Sequence, residues 1–158
     1  MPDEPTRSDG ATRDGASPDG ATPDGAIRPS TGRGAMLSRI STGLVQLHSR
    51  YYGKGPTKAK SHMVNGTVIC ILRDGFTTVE RTLLDTGERE SVHQMRRSFQ
   101  QVMEWEFRRL VEDATGRKTI AYMSAVHTNP DLAVEIFVLE PLDGAEEVEV
   151  PTAPGDGA

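Results

Sequence analysis

The chain has 158 residues, 23 Asp and Glu against 18 Lys and Arg, four His and one Cys. That length suits one domain with extensions, a single cysteine excludes an intramolecular disulfide, and four scattered histidines with it leave no zinc motif to write. The acidity is uneven: residues 1–34 carry four Arg against six acids, residues 143–158 five acids and no base, and residues 35–142 a nearly neutral fourteen bases against twelve acids, which gives no electrostatic footprint for nucleic acid.

Residues 1–34 contain no aromatic residue yet hold six of the 16 Gly and five of the 10 Pro. Asp-Gly-Ala recurs there with period five from Asp9, Asp14, Asp19 and Asp24. Such a segment buries too little apolar area to offset its ordering entropy, so a disordered arm is expected over 1–34 and a disordered acidic tail over 143–158. The Asp spacing lacks the ligand pattern of an EF-hand. The N-terminus shows no signal peptide and no apolar run approaches a membrane span, so a cytoplasmic protein is expected.

Met36, Ile40, Leu44, Leu47 and Tyr51 recur at helical spacing and predict a helix from about Ala35 to Tyr52, closed by Gly53. Pro56 excludes helix beyond it. Lys58–Met63 and Thr67–Leu72 flank Asn65-Gly66, a strong hairpin signal, and the unbroken apolar run Val68–Leu72 predicts a central strand holding a buried Cys70. Thr77 and Glu80 form a capping box for a short helix from Thr78 to about Thr86. A long helix follows, from about Glu88 to Ala114, with a buried stripe of Val92, Met95, Phe99, Val102, Met103, Phe107, Leu110 and Val111 and with Arg96, Arg97, Arg108 and Arg109 read as part of a solvated face. Thr119–Val126 and Leu132–Leu139 close the domain as a second hairpin, joined by His127-Thr128-Asn129-Pro130-Asp131.

The order helix, Gly, basic residues, hairpin thus occurs twice. The expected fold is α+β: two αββ halves forming a four-stranded antiparallel sheet, with two long helices on one face and a short helix between the halves. Leu132–Leu139 is apolar on both alternate faces, so a second layer is expected over the free face, from a second copy in a homodimer.

Gly53-Lys54-Gly55-Pro56-Thr57-Lys58 fails the spacing of a phosphate loop and follows a helix instead of opening one. It reads either as a basic helix-terminal turn or as an anion site built on Lys54, Lys58 and Lys60. His127, Asn129 and Asp131 place an imidazole, an amide and a carboxylate within five residues, as turn caps or as a polar ligand site. Glu135 either faces solvent in alternation or is buried with a basic partner such as Lys118 or Lys60. No nucleophile–base–acid order and no dinucleotide fingerprint is present, so no catalytic residue, metal or cofactor is assigned.

Tyr52–Lys60, Glu80–Leu84, Thr115–Lys118 with Met123-Ser124, and His127–Asp131 with Glu135–Pro141 together resemble the MpsC family (Na+-translocating membrane potential-generating system protein MpsC), over about residues 36–141. The resemblance implies a small soluble bacterial protein, a domain of unknown function in most members, linked in some to a membrane system that moves cations and supports bicarbonate uptake. It brings no catalytic residues. Its Gly-Pro-Thr-Lys and His-x-x-Pro-Asp stretches fall at Gly55–Lys58 and His127–Asp131. The expected function is that of a non-enzymatic accessory or regulatory protein beside a membrane transporter subunit, binding through Lys54, Lys58, Lys60, His127, Asn129 and Asp131. The alternatives are a free-standing small-anion or nucleotide sensor and, less favoured, an RNA-binding module.

Overall fold

The computed structural model describes residues 32–142; the Asp-Gly-Ala repeats and the acidic tail lie outside the described residues. The elements are α1 (Gly32–Tyr52), β1 (Lys58–Val64), β2 (Thr67–Arg73), α2 (Thr78–Asp85), α3 (Arg89–Thr115), β3 (Thr119–His127) and β4 (Leu132–Leu139). All four strands are antiparallel, in the order β1-β2-β4-β3. The central pair therefore takes one strand from each half. This is the arrangement expected of two αββ units related by an approximate two-fold axis between β2 and β4.

The local signals act as read. Asn65 and Gly66 both have positive φ, as a type I′ hairpin turn requires. Gly53 and Gly116 end α1 and α3 in the left-handed region, at φ 73° and 70°. Thr77 accepts from the Glu80 backbone N–H while the Glu80 carboxylate accepts from the Thr77 N–H, closing the capping box.

α1 packs on β1, α3 on β3, and the two helices on each other, covering one face of the sheet. Ile40, Leu44, Val68, Leu72, Met103, Phe107, Val111, Phe137 and Leu139 fill the space between. Each is worth roughly 1.5–3 kcal/mol of burial. The opposite face carries Lys58, Lys60, His62 and Val64 on β1, and Thr67, Ile69, Ile71 and Arg73 on β2. It continues with Leu132, Val134, Ile136 and Val138 on β4, and Ala121, Met123, Ala125 and His127 on β3. No described element covers it.

Three expectations need correction. α1 begins at Gly32, three residues before the expected Ala35, and Arg33 reaches across to donate to the Met63 carbonyl, tying the first turn to β1. Val102 is 68 % exposed. The true stripe of α3 runs Val92, Arg96, Gln100, Met103, Phe107, Val111, so Arg96 is buried and not part of a solvated face. Glu135 is fully buried, and neither Lys118 nor Lys60 is its partner: Lys118 reaches Glu112 and Lys60 lies on the other face of the sheet.

Candidate functional site

Both family stretches converge on Phe76, in the short connection between β2 and α2. Lys54 Nζ donates to the Phe76 carbonyl at 2.8 Å, and the Phe76 N–H donates to Asp131 Oδ2 at 2.9 Å. The Asp74 N–H donates to the Asp131 carbonyl at 3.2 Å, and Thr57 Oγ1 to Asp74 Oδ2 at 2.8 Å. Pro56 packs on Gly75, where an added Cβ would lie 3.6 Å from the proline ring. Lys54 and Asp131 are thus engaged in joining the two loops. They sit on either side of one peptide segment, not around a shared cavity.

The remaining candidates divide between two places. Lys58, Arg73, Leu132 and His127 form one row across the free face, set by the register Lys58↔Arg73, Arg73↔Leu132 and His127↔Leu132. Lys58 and His127 share this end of the sheet, separated by three strand spacings, about 14 Å. The His127 ring is held by Nδ1 donating to the Pro130 carbonyl at 2.9 Å, which leaves Nε2 facing outward. Lys60 stands one row along, opposite Ile71. Asn129 belongs elsewhere: with Thr128, Asp131, Arg81 and Arg89 it lines a cleft of about 360 Å³ between α2 and the β3–β4 turn. Arg81 lies 3.9 Å from Asp131 there.

Arg73, Arg81 and Arg89 escaped the sequence reading. Arg73 had a usable signal, since the hairpin register set by Asn65-Gly66 places it opposite Lys58. Arg81 and Arg89 had none, because the β3–β4 turn that meets them is distant in sequence.

Beneath the loops lie two buried polar groups. Arg96 donates through both Nε and NH2 to Glu80, and its guanidinium lies over the rings of Tyr52 at 4.1 Å and Phe76 at 4.9 Å. Burial pushes the Glu80 carboxyl up, but hydrogen bonds from Arg96 and Thr77 and the Arg96 charge outweigh it and hold Glu80 below the ordinary carboxylate range. Next to this pair, His48 Nδ1 donates to the Leu44 carbonyl, and its Nε2 faces Glu135. Tyr122 donates to Glu135 Oε2 at 2.6 Å. Burial, and then the charge of Glu135, raise the Tyr122 phenol. Burial raises the Tyr52 phenol, and it pushes the Cys70 thiol up to about 12, so that sulfur is no nucleophile at neutral pH. Among the described residues no three His, Cys, Asp or Glu gather as a metal site. No described helix is long and apolar enough to cross a membrane.

The family model described as Na+-translocating membrane potential-generating system (MpsC) matches residues 32–141. No curated protein and no solved structure matches the chain. The family match runs from the first turn of α1 past the end of β4 and includes both αββ halves and the Phe76 junction between them. The chain therefore belongs to the MpsC family.

Proposed function

We propose that this chain is a non-enzymatic accessory module of a membrane cation-transport system of the kind its family description names, and that it works by binding an anionic group at the Lys58 end of the sheet. The observation that carries the binding reading is the pairing of Lys58 with Arg73. They are register partners, both exposed on the acid-free face, and among the described residues neither makes an ion pair. Like charges directly opposite on adjacent strands are destabilising, and an anion between them reverses the sign of that interaction. Lys60, one row along on the same strand, adds charge beside the pair, which suits a phosphate, carboxylate or bicarbonate group; His127 ends the same row on the far strand. The link to transport rests on the family alone.

The test is thermal unfolding of the full chain with bicarbonate, phosphate, nucleotides and sodium chloride at matched ionic strength. A specific anion raises the midpoint, by an amount that grows with concentration over its dissociation constant. The rise disappears in Lys58→Ala and Arg73→Ala. A midpoint that no anion moves, or that moves equally in those variants, removes the site.

The middle of the same face supports a second reading, a homodimer. Ile69, Ile71, Val134 and Ile136 form an apolar centre with the cations on its rim, the layout of a protein–protein interface. Light scattering of the full chain should give twice the chain mass, and Ile136→Glu should return it to the monomer.

A further inference from the structure

β1 is an edge strand, and its outer edge borders an open cleft beside α1. In an antiparallel pair, alternate residues turn their backbone groups toward and away from the partner strand. The two-residue turn at Asn65-Gly66 makes Val64 and Thr67 a hydrogen-bonded pair, so the even-numbered residues of β1 bond β2. Ala59, Ser61 and Met63 then turn their N–H and C=O groups outward. Arg33, which donates to the Met63 carbonyl from outside the sheet, fixes the same phase. Nothing among the described side chains bonds the outward groups of Ala59 and Ser61.

These two residues form one wall of a cleft of about 730 Å³. The other wall is α1, where Gly34, Ser38, Thr42 and Val45 leave room because they are small. Ser41 Oγ meets Ser61 Oγ at 2.7 Å across the floor. The pseudo-symmetric position beside β3 is different. There α3 side chains take both backbone groups of Thr119: its N–H donates to Glu112 Oε1 at 2.8 Å, and its carbonyl accepts from Arg108 at 2.5 Å. Trp105, Arg109 and other long side chains line the cleft. At the β3 edge Thr119 is engaged on both sides, whereas at the β1 edge, among the described residues, Met63 is met by Arg33 and Ala59 and Ser61 are left free.

We propose that the β1 edge accepts a fifth, extended strand from an acidic polypeptide, lying in the cleft beside α1. A strand added there takes its main-chain hydrogen bonds from Ala59 and Ser61, the mode known as strand addition. Its side chains then alternate. Those on the open-face side lie beside Lys58 and Lys60 and need to be acidic; those between them lie under Ser38 and Thr42 and need to be small and apolar. Lysines on an edge strand oppose pairing with a second copy of the same edge, so the charge favours a foreign acidic strand over self-pairing. The sequence Glu147-Val148-Glu149-Val150 of this chain has the required alternation, which makes a peptide of residues 145–152 a probe of the right chemistry.

The experiment titrates that labelled peptide, by fluorescence anisotropy, against the full chain and against a chain ending at Leu142, and follows amide exchange residue by residue. Binding to at least one of them, with new protection at Ala59 and Ser61, is expected. Ala59→Pro deletes an outward N–H that the β1–β2 ladder does not use; it should weaken binding tenfold or more while circular dichroism shows the fold retained. Thr42→Leu, which fills the cleft from the helix side, should do the same without touching β1. Lys60→Glu should weaken the acidic peptide and accept one with lysines at positions 147 and 149. Binding to neither chain, protection away from β1, or protection of Ala59 and Ser61 that rises with protein concentration in the absence of peptide each overturns the proposal, the last in favour of a second copy.

Discussion

His48 Nε2 on α1 stands 3.5 Å from Glu135 Oε1 on β4, with both side chains buried. The other imidazole nitrogen is committed to Leu44, the other carboxylate oxygen to Tyr122, and Oε1 has no further partner. The Phe107 ring stacks on His48 at a centroid distance of 5.0 Å and closes off solvent from the α3 side. Helix and sheet are therefore joined at this point by one polar contact inside an apolar layer.

Removing one side of that contact strands the other. His48→Leu should cost about 1–3 kcal/mol, the usual penalty for leaving a buried polar group without its partner. His48→Leu with Glu135→Leu should recover a large part of the loss, since replacing both partners by apolar groups leaves neither a buried imidazole nor a buried carboxylate without a partner there. Urea unfolding of the four proteins measures the coupling, and simple additivity would show that the two residues act independently.

Glu80 carries a pH dependence with a definite sign. Its folded-state value lies below the ordinary carboxylate range, so its contribution is fully present above that range and is lost as pH falls through the depressed value. The thermal midpoint of the native chain should therefore fall more steeply on acidification than that of Glu80→Gln, which starts lower at neutral pH and has no carboxylate to protonate. Arg96→Lys keeps the charge but loses the two-pronged contact and the stacking on Tyr52 and Phe76, so it should not rescue the midpoint.

The α1–α3 crossing depends on a missing side chain. A Cβ on Gly43 would come within 2.6 Å of a Leu110 methyl. Relief of glycine's helix penalty is worth up to about 1 kcal/mol, whereas overpacking costs about 1–3 kcal/mol. Gly43→Val, whose branched side chain recovers little helix propensity, should be destabilising within the overpacking range. Leu110→Ala in the same chain should restore part of the loss, as measured by thermal unfolding.

Thr77→Ala opens the capping box of an eight-residue helix and should cost about 1 kcal/mol. The effect should extend beyond α2, because Thr77 also donates to the carboxylate that Arg96 holds. Amide exchange at the Gly75–Phe76 segment is the readout.

Elements governed by neighbours in sequence were legible in the sequence. Asn65-Gly66 set the first hairpin, Gly53 and Gly116 stopped their helices, and the apolar run Val68–Leu72 marked a central strand. Groups whose partners come from distant elements were not. Arg96 reads as a surface arginine until Glu80, sixteen positions earlier, is placed against it. The spacing Val92, Arg96, Gln100, Met103, Phe107 was the available clue, since it puts Arg96 on the buried stripe. Glu135 allowed two orientations, and only the register of β4 against β2 decided between them, pairing it with Cys70 on the helix side. Of the candidate site, the strand register unites Lys58 and His127 in one row and adds Arg73. The loop contacts draw Lys54 and Asp131 into holding Phe76, and Asn129 turns into a different cleft.

The strand order β1-β2-β4-β3 means that each half of the chain ends on a strand whose only other neighbour is supplied by the opposite half. The molecule is in this sense a tethered pair, and α2 is the tether. Its length sets the effective concentration at which one αββ unit meets the other. A chain cut at Gly87 would still hold every residue of the core, but joining β2 to β4 would then be a bimolecular reaction governed by the dilution of the two pieces.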